Sequence, residues 1–442
     1  MSNNIIVILR AGYTAKYTIP LLAYLREKYS LTPIVFYFDF GNSSKPLLDE
    51  FSIENHYFNF YDNCIKSVFL RRILGTLGIY VLIERIYERI YAKKIIAQYN
   101  PKIIFTPVST QTLSRAVINL ANKRGIPTLS IQRTATYYRF FSQRWLEYIK
   151  EREGKKSFNM MNYCREKRLA WNRAVYRILG ELWGVVYREP KCLGDGEEKF
   201  FLVIGERHKM LFFQEGVRPK SKMVVVGFLE HDQFYKDGVL NKEPMRTNAR
   251  NILGLKTQEK VILIIIPSVG LSRCPELYDS NTYIVKTVLE SVPENFKVIV
   301  KLHPQTRNND LDPEVLKHPK IIEDKGLETL ELLCASDFFI SYYSTMNLNA
   351  IALDINMLTA NISGIFSQEM CEHIGGGLHA SSKEEFKPLL DQLLFDEVTQ
   401  KSLASSRALA RSRWMKCDGL VKKRIGDFMV SLMTQKNEKN NG

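Results

Sequence analysis

Two short stretches carry side chains suited to holding a phosphate. Val298-Ile299-Val300-Lys301-Leu302 is an apolar, β-branched run that ends on His303-Pro304, and Phe338-Phe339-Ile340 is a second run that ends on Ser341-Tyr342-Tyr343-Ser344-Thr345. Both read as buried strands followed by loops. Met346 to Leu353 then reads as a helix, so Ser344 and Thr345 stand where a helix begins. Free backbone N–H groups and the positive end of the helix dipole favour an anion there, and the hydroxyls add donors. His303, its backbone restrained by Pro304, offers one more. Taken singly, Ser344 or Thr345 is as well explained as an N-cap and His303 as a strand-end residue. Two such ends on adjacent βα units together point to a phosphate site.

The elements that must position them form repeated βαβ units of a parallel sheet. Leu327 to Leu333 is apolar at helical spacing, and Met357-Leu358-Thr359 reads as the next strand. In such sheets ligands sit beyond the carboxyl ends of the strands. Lys260 to Ile266 is the most apolar run and reads as a central strand. It ends at Pro267-Ser268-Val269-Gly270, which adds Ser268 and Gly270 to the phosphate-side candidates. Gly375-Gly376-Gly377 reads either as a loop closing over a ligand or as a plain surface loop.

The N-terminal half repeats the βα pattern. Ile5 to Leu9, Pro33 to Phe38, Ile103 to Phe105 and Thr128 to Gln132 read as strands, with helices ending near Tyr29 and Asn122. Gly12 stands alone after the first strand, so no dinucleotide fingerprint is present. Thr110, Gln132 and Arg133 fall at strand ends and are the candidates for binding an acceptor, although polar loop residues at such places need no function. Glu189 to Gly196 is turn-rich and polar and reads as the linker. Phe200 to Ile204 is expected to open the second sheet, with Arg207 and His208 after it as donor-side candidates. The expected division is 1–190, 198–400, and a helix over 401–434 packing back on the first domain.

His303-Pro304 followed by Ser341-Tyr342-Tyr343-Ser344-Thr345 resembles the paired "HP" and "S-S/T" motifs of GT-B glycosyltransferases. The likeness is strongest to those using cytidine nucleotides: bacterial sialyltransferases, polysialyltransferases and CDP-glycerol glycerophosphotransferases. It covers roughly residues 200 to 400. It implies an α/β fold of two Rossmann-like domains facing a central cleft. It also implies a nucleotide-activated donor, CMP- or CDP-linked, whose phosphates are held by His303, Ser344 and Thr345, with Pro304 and Ser341 among the donor-binding candidates. The acceptor would be a lipid-linked or polymeric surface glycan of capsule, lipopolysaccharide or teichoic type. Sialyltransferases of this kind carry an acidic D/E-D/E-G triplet with the base in the first domain; residues 1 to 190 contain none.

Composition sets outer limits. A chain of 442 residues with 45% hydrophobic content fits two domains, each with its own core. Seven cysteines without a CxxC pattern fit reduced thiols and no metal site. No acidic cluster reads as requiring a metal, so metal independence and no cofactor are expected. The start of the chain has no basic leader, and no window of 18 residues is apolar and uncharged, so a cytoplasmic protein is expected. Of the net charge of +15, residues 66–94 hold +5 and residues 133–191 hold +8. Cys64 to Ala97 reads as a basic amphipathic helix lying in a membrane interface, which would place the protein on the inner membrane face, or as an ordinary helix packed on the sheet.

Four functions remain in play. A metal-independent inverting glycosyltransferase leads. A glycerophosphotransferase would use the same phosphate site. A UDP-GlcNAc 2-epimerase would require paired acids at the helix start, where this chain has Met346-Asn347-Leu348-Asn349-Ala350. A non-catalytic binder of glycan or nucleic acid would use the aromatic, basic stretch from Tyr137 to Tyr187. No nucleic-acid module motif accompanies that stretch, so nucleic acid ranks last as a partner.

Overall fold

The computed structural model describes residues 3–10, 13–38, 44–58, 67–76, 79–107, 112–132, 171, 174, 176–187, 194–217, 219, 222–266, 281–302, 311–341, 344, 346–362 and 375–441. They divide into two compact units. One holds the described residues up to Gln132, those in 171–229, and those from Leu420 onward; the other runs from Glu230 to Gly419.

The first unit is built on a seven-stranded parallel sheet. Its strands are β1 (Asn4–Arg10), β2 (Thr32–Phe38), β3 (Glu54–Tyr57), β4 (Ile103–Thr106), β5 (Thr128–Ile131), β6 (Phe200–Val203) and β7 (Met223–Val225), in spatial order β3-β2-β1-β4-β5-β6-β7. β1 reads as one continuous apolar run because both of its faces are covered. Ile5, Val7 and Leu9 pack into a core with α1 (Tyr13–Tyr29), while Ile6 and Ile8 pack into a second core on the opposite face.

That second core takes its helical side from three helices: α2 (Val68–Thr76), α3 (Tyr80–Tyr99) and α4 (Thr112–Lys123). In α4 the buried Leu113, Ala116, Val117, Leu120 and Ala121 recur at the spacing of one helical face. Among its described residues the 64–97 segment forms two helices. α3 buries Leu82, Ala92, Ile95 and Ile96 as an ordinary sheet-packed helix, whereas α2 leaves Val68, Phe69, Leu70 and Ile73 exposed.

The expected start of the second sheet at Phe200 is corrected. β6 pairs with β5 in the first sheet, with Leu129 opposite Phe200 and Ile131 opposite Leu202, and β7 adds at its edge. All four residues of β5 are buried, so its open side needs a partner, and β6 supplies one. The units part after Leu229. A short helix α5 (176–183) precedes β6, and α6 (Glu206–Glu215) links β6 to β7.

At the amino edge of β6, the buried Glu198 carboxylate lies 3.6 Å from Lys222 Nζ and accepts from Ser130 Oγ at 3.2 Å. Burial pushes the Glu198 carboxyl above the ordinary glutamate range, and Lys222 opposes that rise.

The second unit has a six-stranded parallel sheet. Its strands are β8 (Lys260–Ile265), β9 (Phe296–Lys301), β10 (Ile321–Ile322), β11 (Phe338–Ser341), β12 (Asn356–Ala360) and β13 (Leu378–Ala380), in order β10-β9-β8-β11-β12-β13. The helices that matter here are α7 (Lys242–Ile252), α8 (Asn281–Ser291), α9 (Thr329–Ala335), α10 (Met346–Ala352), α11 (Lys383–Phe395) and α12 (Glu397–Trp414).

Cys334 is fully buried in α9, as its spacing implies. Asp337, at the amino end of β11, accepts from Arg246 Nη2 at 2.8 Å and from the Val261 N–H at 2.9 Å. That cluster fastens α7 to the sheet end away from the strand termini discussed next.

The expected single C-terminal helix is two, α12 and α13 (Val421–Asn441). α13 lays Val421, Ile425, Met429 and Leu432 into the first unit's core beside α1.

Candidate functional site

In the second sheet the chain runs outward from β8 to β9 and β10, then returns to build β11, β12 and β13 on the other side. The topological switch point therefore lies between β8 and β11. Crossovers leave in opposite directions there and open a crevice at the carboxyl ends. Registers define this edge. Ser341, last residue of β11, stands opposite Ile265 of β8 and Thr359 of β12. Ile265 stands opposite Lys301, last residue of β9, and the Ile266 N–H donates to the Lys301 carbonyl at 3.1 Å. The chain thus delivers the starts of three loops to one sheet edge: after Ile266, after Leu302 and after Ser341.

The Ser341 loop is held from beneath. Ser341 is buried, and its Oγ donates to Asn347 Oδ1, while Asn347 Nδ2 donates to Thr359 Oγ1 at 3.3 Å. One side chain on α10 thereby ties together the ends of β11 and β12. Ser344 Oγ accepts from the Met346 N–H at 3.1 Å, and the Asn347 N–H donates to the Ser344 carbonyl at 3.1 Å. Ser344 is thus the capping hydroxyl of α10 and remains partly exposed. Asn347 to Ala352 are buried, and no acidic residue occupies the first turn.

The far side of α10 is fixed by two further contacts. His231 Nε2 meets Asn349 Oδ1 at 2.9 Å, with the imidazole fully buried. Burial lowers the His231 pKa to about 4, despite the hydrogen bond to Asn349. Asp354, in the turn after α10, accepts from Arg407 Nε at 2.6 Å, and Arg407 Nη1 donates to Asn356 Oδ1 at 2.8 Å. The helix that carries the Ser344 cap therefore cannot shift independently of the sheet.

The first sheet has its own switch point, between β1 and β4. Gln132, expected to meet an acceptor, is only 1% exposed. Its side-chain oxygen accepts from the Ile204 N–H at 3.0 Å, so it stitches the ends of β5 and β6.

A carboxylate absent from the expected set lies beside the start of α4, the helix that follows β4. Glu88, buried on α3, accepts from Arg85 Nη1 at 2.9 Å and from Thr112 Oγ1 at the first residue of α4. Burial pushes its carboxyl above the ordinary range, against the pull of Arg85 and Thr112. Tyr187, also buried, has its hydroxyl pushed up to about 12 by burial, in the field of Arg89, Glu88 and Arg85.

The sequence-expected residues distribute as follows. Ser341 and Ser344 come together at the second sheet's switch point. Arg207 lies in the first turn of α6, after β6, and so belongs to the first unit and not to the donor-side domain expected for it. His303, Pro304, Thr345, Ser268, Gly270, Thr110 and Arg133 lie outside the described residues.

The residues that sequence reading missed are Asn347, His231 and Glu88. Glu88 was open to detection, since it shares a helical stripe with Ala92, Ile95 and Ile96. A carboxylate at an apolar position is the signal. Among the described residues no group of three or more His, Cys, Asp or Glu could hold a metal, and no helix is long and apolar enough to cross a membrane.

No family model matches the sequence, and no curated relative does either. Solved structures do match, over nearly the whole chain. The UDP-GlcNAc 2-epimerase of Neisseria meningitidis bound to UDP-GlcNAc superposes with a TM-score of 0.58 at 14% identity, covering 98% of this chain and 100% of that one. A glycosyltransferase from Rickettsia africae gives 0.56 at 13% identity, covering 98% and 99%. The wall teichoic acid polymerase TagF, soaked with CDPG, gives 0.51 at 13% identity, covering 98% and 90%. With two parallel sheets, each flanked by helices, and this whole-chain likeness, the protein has the GT-B fold of two Rossmann-like α/β units.

Proposed function

We propose that the protein is a glycosyltransferase that moves a sugar from a nucleotide-activated donor, CMP- or CDP-linked, to a bacterial surface glycan. The observation that carries this reading is the placing of Ser341 and Ser344 at the switch point of the second sheet, with Ser341 braced by Asn347 and one strand, β8, between it and the end of β9, from which His303 and Pro304 follow in sequence. Donor phosphates would be held by His303, Ser344 and Thr345, with Ser268 and Gly270 on the neighbouring loop. Their positive environment would stabilise the charge that develops on the leaving nucleotide. An acceptor hydroxyl attacks the anomeric carbon, passing its proton to a carboxylate or histidine base, as the nucleotide departs with the electron pair of the broken bond, with inversion and without a metal. Structures of the same fold were obtained with UDP-GlcNAc and with CDPG, which supports a nucleotide ligand.

A second reading is a UDP-GlcNAc 2-epimerase-like enzyme, favoured by the Neisseria structure's likeness. The first turn of α10 lacks acids, which weighs against it.

The test is thermal stabilisation by CMP, CDP and UDP without added metal, with a His303→Ala variant in parallel. A ligand at a hundred times its Kd adds about 2.7 kcal/mol of stability. A shift with CMP or CDP that vanishes in the variant supports the transferase reading. A shift with UDP alone redirects it to uridine donors or the epimerase. Absence of any shift removes the nucleotide site.

A further inference from the structure

We propose that the first unit docks on an anionic lipid bilayer through the exposed apolar faces of α2 and α5. Surface helices of soluble proteins normally turn polar residues outward. These two turn large apolar residues outward as well, α5 beside the exposed Arg177 and Glu181. In α5, Leu182 is 79% exposed and Trp183 61%, with Ile178 and Leu179 one turn back at the same spacing. Trp171 continues the stripe two turns earlier and is also exposed. Gly180 is the single buried residue within 176–183 and lies on the side of the helix away from Ile178 and Leu182. A Cβ there would come within 2.9 Å of Val186 Cγ2. The helix therefore rests on the protein by its glycine and presents its apolar stripe outward. In α2, Leu74 packs on the core while Phe69 is 74% exposed, together with Val68, Leu70 and Ile73.

Both helices are tied to α3. The Ile79 N–H donates to the Leu74 carbonyl at 3.0 Å, which runs α2 directly into α3. Arg89 of α3 donates to the Gly184 carbonyl at the end of α5, and Tyr176 Oη donates to the Val185 carbonyl at 3.0 Å. α3 itself exposes Ile90, Lys93 and Lys94. The apolar faces are thus displayed by one supporting helix that also carries exposed cations.

Charge selects the partner. The sequence region that supplies α2 and α3, 66–94, carries a net +5. A second copy would bring like charges together, whereas an anionic headgroup layer complements them. Nucleic acid would neutralise the charge but leave the Leu, Ile and Val stripe exposed to water. Only a bilayer interface accepts the cations, the aliphatic side chains and the amphipathic Trp183 ring at once. Neither helix is long and apolar enough to cross, so the mode is insertion in the interface plane. This inference stands apart from the donor chemistry, since no residue of the nucleotide site takes part.

The full-length protein is to be floated with vesicles of equal parts phosphatidylcholine and phosphatidylglycerol, and separately with phosphatidylcholine alone. Binding to the mixed vesicles, weakened by high salt and by Lys93→Glu/Lys94→Glu, is expected. Leu182→Asp, Trp183→Asp and Phe69→Asp should each lower vesicle affinity on the order of tenfold. Because these side chains are exposed, thermal melts should be unchanged, which separates lost docking from misfolding. Failure to bind mixed vesicles, or equal binding by the wild type and all three variants, overturns the proposal. So does a concentration-dependent dimer abolished by Leu182→Asp, since the stripe would then belong to a second copy.

Discussion

His231 Nε2 donates to Asn349 Oδ1 across 2.9 Å, joining the segment that opens the second unit to the helix that follows Ser344. Asn349 Nδ2 donates to Met346 Sδ at 3.2 Å, so its oxygen faces the ring and the proton sits on Nε2. The ring is neutral because burial has removed the water that a charged imidazolium needs.

That neutrality makes stability depend on pH. An unfolded histidine titrates near 6.5, the folded one at about 4. The unfolded chain therefore binds the extra proton first. The contribution of His231 is complete above about pH 6.5 and is lost as pH falls toward 4, on the order of 3 kcal/mol in all. Urea melts at pH 7 and pH 5 should show this loss, and a His231→Gln variant should show a shallower one. Cys417, whose thiol burial holds at about 12, stays protonated throughout this window. A pH slope identical in the two proteins would assign the loss to other groups.

Asn347 is expected to be the keystone of the Ser341 loop. Asn347→Leu leaves the buried Ser341 and Thr359 hydroxyls without their partner, a cost of about 1–3 kcal/mol for each unsatisfied group. Chemical denaturation should report the lost stability. Nucleotide-induced thermal shifts should weaken beyond what the lower stability explains, because the start of the Ser341 loop loses its brace.

Glu198 and Lys222 form a buried pair 3.6 Å apart. Removing one partner strands the other, so Lys222→Met alone should cost about 3–5 kcal/mol. The Glu198→Leu/Lys222→Met double variant should recover much of that, since it buries no charge. A double-mutant cycle on unfolding free energies measures the coupling, and additive single effects would argue that the pair does not act as a unit.

Gly426 lets α13 approach α1. A Cβ at this position would stand 2.3 Å from the Tyr29 ring, whose hydroxyl donates to Asp427 Oδ1 at 2.7 Å. Gly426→Ala should therefore destabilise the first unit by about 1–3 kcal/mol, although alanine is the better helix former. Limited proteolysis should then release the C-terminal helix. An unchanged melt would show that the helices separate without cost.

Sequence reading and structure agree where the signal is local. β1 and β8 are legible because strands buried on both faces must be apolar throughout. Ser341 and Ser344 are legible because polar residues directly after such a run can only be a strand end and a cap. Gln132 shows the limit. Its position at a strand end was readable, but its side-chain oxygen accepts from the N–H of Ile204, a residue 72 positions away. Asn347 reads as a polar residue on a helix, and only the convergence of β11 and β12 makes it a bridge.

By itself the sequence determined that the chain is α/β with parallel βα units, that two cores form, and that a capped helix start follows Ser341. These are consequences of periodicity and hydrogen-bonding type within a few residues. The tertiary structure decided which sheet each strand joins. Phe200–Val203 has the pattern of a strand in either sheet, and pairing with Thr128–Ile131 was settled by the open edge of β5. It also decided that Glu88 is buried against Thr112 and that Leu182 and Trp183 are exposed. Burial of a side chain is a property of what the rest of the chain places over it, and hydrogen-bond partners far apart in sequence leave no local trace.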